Sequence, residues 1–252
     1  MLSVDLNCDM GESFGAWTMG NDAALMDFVS SVNVACGFHA GDATVIRQTV
    51  EMAIAKGVAV GAHPSFADLQ GFGRREIKMS AAEVFDIVLY QVAAVKGICE
   101  ASGGKLHHVK PHGALYNQAA KDANLAEAIG KAVKAIDENL ILYGLAGSYL
   151  ISEAEKIGLK TASEVFADRT YQADGSLTPR SQTNALITDT EKAGAQVWQM
   201  ISAQTVTATD GETVQLRAET VCIHGDGAHA LDFAKTINAR LKANGVMIES
   251  IF

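Results

Sequence analysis

Residues 106–117 read LHHVKPHGALYN, and the way this stretch divides points to the fold. Leu106 to Val109 is a short strand-like run, Lys110-Pro111-His112-Gly113 ends it with titratable side chains, and Ala114 onward returns to helix-forming residues. Titratable groups crowded where a buried strand stops cost stability, so they call for a structural compensation or a chemical use. The same division recurs along the chain. LSVDLNC (2–8) stops at DMGES, SVNVAC (31–36) at GFHAGD, and GVAVGAH (57–63) at PSFADLQGFGRR. LILYGLAG (140–147), KTASEVF (160–166) and TVCIHGD (220–226) complete a set of about seven short strands.

Helical segments lie between them. Asp42 is placed to cap a helix whose inner face is Val45, Ile46, Val50, Ala53 and Ile54, with Gly57 as its stop. Ser80 and Glu83 form a capping box before Val84, Ile87, Val88, Val92 and Val95. Thr188 and Glu191 predict a second box before Val197, Met200 and Ile201. The last helix carries Leu231, Ala234, Ile237 and Leu241 and closes at Gly245.

Strand and helix in alternation mean parallel strands joined by crossovers. An open sheet also satisfies that pattern, but its ligand residues gather at one switch point. Here they follow many strands: Asp9 and Glu12, His39 and Asp42, His63, Lys110 and His112, Glu164 and Asp168, His224 and Asp226. A barrel brings such ends to one mouth. The expectation is an α/β fold, an irregular (β/α) barrel of about seven parallel strands in one domain over residues 1–252. Residues 203–217 alternate like an antiparallel hairpin turning at Asp210-Gly211.

With 48% hydrophobic residues, the chain can bury an ample core. A net charge of −9 and no Lys/Arg stripe argue against nucleic acid or an anionic membrane as partner. The four cysteines, Cys8, Cys36, Cys99 and Cys222, are widely spaced, and no apolar run is long enough to span a bilayer. A cytoplasmic setting with reduced thiols fits best, and the three cysteines near strand ends read as core packing. No Walker loop or GxGxxG follows a strand, so ATP has no recognisable pocket in the sequence.

The polar clusters carry the candidate chemistry. Asp9 and Glu12 can bind a hard metal or share acid and base work, although a lone DxxE more often caps a helix. Gly37 and Gly41 flank His39, and Asp42 reads as a helix cap first. The loop after His63 ends in Arg74-Arg75, able to grip a carboxylate or phosphate. Glu164, Asp168, Arg169 and Tyr171 precede QADGSLTPRSQ (172–182), a polar glycine-bearing loop of the kind that forms lids. His107 and His108 are neighbours in a strand, so only one points inward. A zinc site of HExxH or paired-cysteine type is absent, but Asp9, His39 and His63 can assemble a divalent metal site from three strands.

The blocks DLNCDMGE, NVACGFHAGD, GAHPSFADLQGFGRR, HVKPHGALYN, FADRTY and CIHGD, from residue 5 to 226, resemble the LamB/YcsF family. The resemblance implies a barrel similar to the glycoside hydrolase/deacetylase fold. It also implies the A component of an ATP-dependent 5-oxoprolinase, which opens the 5-oxo-L-proline ring to L-glutamate with ATP as co-substrate. Two further subunits, B and C, are the implied partners. Position at the mouth assigns Asp9, Glu12, Lys110, His112, Glu164 and His224 to catalysis, with Asp9 or Glu164 as base and Lys110 with His112 as charge stabilisers. It assigns His39, His63, Arg74, Asp168, Arg169 and Asp226 to substrate binding. Two rivals stay open: a non-catalytic subunit for substrate binding or scaffolding, and a stand-alone metal-dependent deacetylase or amidohydrolase.

Overall fold

A computed structural model describes residues 2–224 and 230–251. Its strands are β1 (Ser3–Met10), β2 (Ser31–Ala35), β3 (Ala59–His63), β4 (Leu106–Val109), β5 (Ile141–Leu145), β6 (Lys160–Phe166), β7 (Thr205–Thr207), β8 (Thr213–Gln215), β9 (Thr220–Ile223) and β10 (Met247–Ile248). Helices α1 (Asp22–Leu25), α2 (Ala43–Lys56), α3 (Ala81–Ala101), α4 (Gly113–Ala119), α5 (Ala123–Ile136), α6 (Tyr149–Lys156), α7 (Thr190–Ala203) and α8 (Ala230–Ala243) connect them. Strands β1 to β6 pair in sequence order and in parallel, β9 joins β6, and β9 pairs back onto β1. That last pairing closes a barrel of seven parallel strands, as expected. β10 adds to the outer end of β1, and β7 with β8 forms the antiparallel hairpin, with Gly211 at φ +94° in its turn.

Strand alternation decides what lines the barrel. In β1, Val4, Leu6, Cys8 and Met10 join the apolar layer under the helices, whereas Asp5, Asn7 and Asp9 face the interior. Such an interior is stable only if its polar atoms are paired. At the bottom, Asp5 accepts hydrogen bonds from Ser30, Ser31 and Thr220 at 2.6–2.8 Å. Higher up, Asn33 donates to Asn7 and Asp9, and His108 Nε2 donates to Asn33 Oδ1, each at 2.8 Å. The His108 ring occupies space that Gly61 leaves, since a Cβ there would lie 2.1 Å from it. His107 points the other way, to the carbonyl of Ile251.

Helix starts follow their caps. Asp42 accepts from Thr44 and Val45, and Ser80 with Glu83 makes the reciprocal box. At α7 the cap is Asp189, not Thr188: its carboxylate accepts from the amides of Glu191 and Lys192. An Asp side chain outcompetes a Thr one residue earlier because its carboxylate also suits the positive helix end. All four cysteines are buried and unpaired, and no helix of the described residues is long and apolar enough to cross a membrane.

Candidate active site

The C-terminal strand ends meet at a cavity of about 470 Å³, within the usual range for small-molecule sites. Asp9, Glu12, His63, Lys110, His112 and His224 all reach its wall. Lys110 leaves β4 and crosses the mouth, so its Nζ lies 2.9 Å from Asp9 Oδ1, 2.9 Å from Glu164 Oε1 and 3.0 Å from Cys222 Sγ. Burial disfavours the ammonium, yet Asp9 and Glu164 outweigh it and hold Lys110 well above its ordinary value. Burial likewise pushes Asp9 up, but the pull of His63 and Lys110 wins and holds it well below the usual carboxylate range. The pair is therefore ionised. Burial pushes the Cys222 thiol well up despite Lys110, so it offers no thiolate nucleophile.

A second pair stands beside the first, with one donor atom each of His224, Asp9 and Cys222 within 4.8 Å of the others. His224 Nδ1 is 2.9 Å from both carboxylate oxygens of Asp168. Burial raises the Asp168 carboxyl, but His224 outweighs it and leaves the group below its ordinary value. An ionised Asp168 fixes the tautomer with hydrogen on Nδ1 and leaves Nε2 toward the cavity, where Arg180 donates to it at 3.2 Å. This is the base-and-orienter geometry of acyl-transfer sites.

Loops complete the walls. The chain from Ser176 to Arg180 lines one side, so the glycine-bearing loop forms part of the wall. In the loop that brings Arg74 to the wall, Phe72 adopts φ +54°, rare for a bulky residue. Its carbonyl accepts from His112 Nε2 at 2.9 Å, and Arg74 lies over its ring at 4.8 Å. Gly73 and Gly113 allow this loop to rest on the start of α4, because a Cβ on Gly113 would lie 2.4 Å from the Gly73 carbonyl oxygen.

Several candidates sit differently from their expected places. Glu164 is 0% exposed and held by Lys110, by Tyr116 Oη at 2.7 Å and by Asn7 at 3.0 Å. It lies beneath the cavity rather than on its wall, because Lys110, Tyr116 and Asn7 close over its carboxylate. That removes it as the base facing substrate. Asp168 stands behind His224, not on the wall. Arg169 lines the cavity but donates to the carbonyls of Thr178 and Ala185, tying down the loop, and burial with the nearby Arg180 brings it down to about 10. His39 is 0% exposed and stacked on His112, 3.9 Å between ring centres, so it does not reach the cavity. It groups with Glu12, His63 and His112; Asp9, whose Oδ1 is taken by Lys110 and Asn33, holds Oδ2 at 3.4 Å from His63 Nε2 and groups with Cys222 and His224. Asp226 lies outside the described residues. Sequence reasoning passed over Arg180, Tyr116, Asn7 and Asn33; the period-two run of Asp5, Asn7 and Asp9 was the signal for a polar interior.

The LamB/YcsF family profile matches residues 4–252. The chain belongs to the LamB/YcsF family. A LamB/YcsF relative from Tolumonas auensis, named as the A component of 5-oxoprolinase, is 60% identical over 251 residues, covering 100% of both chains. The lactam utilization protein from Thermus thermophilus superposes with a TM-score of 0.94 at 46% identity, over 99% of this LamB/YcsF chain and 100% of the other. A family 4 carbohydrate esterase from Streptomyces lividans, at 12% identity, TM-score 0.54 and 99% and 93% coverage, shares the fold alone. The barrel of this LamB/YcsF member is thus deacetylase-like, as the resemblance implied.

Proposed function

We propose that this chain is the A component of an ATP-dependent 5-oxoprolinase, which converts 5-oxo-L-proline to L-glutamate with ADP and phosphate, acting with subunits B and C. What carries the reading is full-length identity of 60% to a relative bearing that component's name. The cavity chemistry supports it. A five-membered lactam is an unreactive amide; phosphorylation of its oxygen by ATP makes the ring carbon electrophilic and opens a route for water. His224, oriented by Asp168, takes the proton of that water at Nε2 and returns it to the ring nitrogen as the carbon–nitrogen bond breaks, leaving an acyl phosphate that a second water splits into L-glutamate and phosphate. Lys110, held as a cation, stabilises negative charge developing on oxygen. Arg180 and Arg74, both on the cavity wall, bind the substrate carboxylate and the phosphoryl group. When Arg180 turns to an anion it releases His224 Nε2 to act as base.

The test is reconstitution with subunits B and C. ATP-dependent glutamate release by the wild-type complex, lost in a complex carrying Lys110→Met, is the expected result. Turnover that survives in that variant removes Lys110 from the reaction. ATP-independent, chelator-sensitive amide hydrolysis by this chain alone would replace the reading with the metal-dependent amidohydrolase.

A further inference from the structure

Beside Lys110, three histidines pack in a way the ring-opening steps do not use. His63 Nδ1 lies 2.6 Å from the Lys110 carbonyl oxygen, and His112 Nε2 lies 2.9 Å from that of Phe72. Carbonyls only accept, so both nitrogens carry hydrogen. His112 Nδ1 then faces His63 Nε2 at 2.9 Å. These two nitrogens point into one space, which a proton or a metal ion can occupy, and Asp9 Oδ2 stands 3.4 Å from His63 Nε2.

The surroundings are those of a metal rather than of a shared proton. His39 is wholly buried and neither of its ring nitrogens finds a hydrogen-bond partner among the described residues, a costly arrangement for a polar side chain without a further purpose. Its Nε2 is 3.6 Å from Glu12 Oε1, which is 3.7 Å from His112 Nδ1. One donor atom from each of Glu12, His39, His63 and His112 lies within 4.8 Å of the others. Backbone carbonyls fixing the outward N–H of His63 and His112 are the supporting contacts that metal-bound imidazoles use. Three imidazoles and one carboxylate suit a four-coordinate first-row ion, zinc above all.

We propose that Glu12, His39, His63 and His112 bind one divalent transition-metal ion at the edge of the cavity. This replaces the Asp9, His39 and His63 set read from sequence. Ligand lone pairs lie in the ring plane, so coordination tilts His39 out of its stack with His112. When bound, the ion supplies a Lewis acid next to the cavity.

The test needs neither ATP nor partner subunits, so it stands apart from the reaction proposed above. The full chain, purified without an affinity tag and stripped with chelator, is titrated with Zn²⁺ and with Co²⁺. Elemental analysis after desalting is expected to return about one ion per chain, and Co²⁺ to give the intense visible bands of a four-coordinate site. His39→Gln and His63→Gln are expected to weaken binding by at least about 10–100-fold, and His107→Gln, outside the cluster, to leave it unchanged. If a variant fails to fold, the cobalt spectrum of the wild-type chain decides. Wild-type protein that retains no ion and gives no such bands overturns the proposal, and a proton shared by His63 and His112 then fills the role. Equal binding by folded His39→Gln, His63→Gln and wild type overturns it as well.

Discussion

Lys110 Nζ sits 2.9 Å from Asp9 Oδ1, and Lys110 is only 2% exposed. The ammonium leaves β4 and the carboxylate is held near the end of β1, so their meeting spans the barrel. Water would weaken this attraction to about 1 kcal/mol; at the covered mouth it is far stronger, and both groups depend on each other.

Lys110→Met keeps the length of the side chain and removes its charge. Asp9 and Glu164 are then left buried without their cation, which costs about 3–5 kcal/mol. Urea unfolding of the isolated chain measures this, and a loss under about 1 kcal/mol would show that the triad is better solvated than its burial indicates.

His224→Gln and Asp168→Asn address the second pair. Each is expected to lower kcat of the reconstituted complex by about 10²–10⁴-fold with KM changed little. Unfolding midpoints should move little for His224→Gln, because its ring reaches the cavity. An unchanged kcat for both would place the base elsewhere.

Arg180→Ala removes a guanidinium from the cavity wall. KM for the lactam or for ATP is expected to rise by about tenfold or more, the loss of one charge-assisted contact. A KM that does not move for either substrate would leave Arg180 as a structural partner of His224 only.

Stability should depend on mild acid through His108. Burial, together with His107, Lys110 and His63, holds its value well below the ordinary one against the weaker opposing pull of Asp9. Below pH of about 6.5 the unfolded chain binds a proton that the folded chain refuses, so stability falls as pH drops from there toward the folded value, by about 1.4 kcal/mol per pH unit. Above that pH this contribution is flat. Unfolding curves at neutral pH and at pH of about 5.5 for wild type and His108→Gln should show a shallower loss in the variant.

Gly61→Ala places a methyl group against the His108 ring. Overpacking inside the barrel is expected to cost about 1–3 kcal/mol. Thermal unfolding measures it, and a neutral result would mean the ring has room to move.

Sequence alone determined the strands, their order and most of the helix caps, because each rests on short-range chemistry: a period of two, a capping carboxylate, a glycine at a stop. It also brought Asp9, His63, Lys110, His112 and His224 to one rim, since parallel strands of one barrel end on the same side. Only the tertiary structure decided which polar atoms are satisfied. Glu164 and Asp168 read as rim carboxylates, yet one is sealed by Tyr116, Asn7 and Lys110 and the other backs His224. Asp5, Asn7 and Asn33 look like the solvent face of amphipathic strands until the sheet closes and that face becomes the inside. Local pattern gives a side chain's direction; closure between β9 and β1, more than two hundred residues apart in sequence, decides whether that direction leads to water or to another charge.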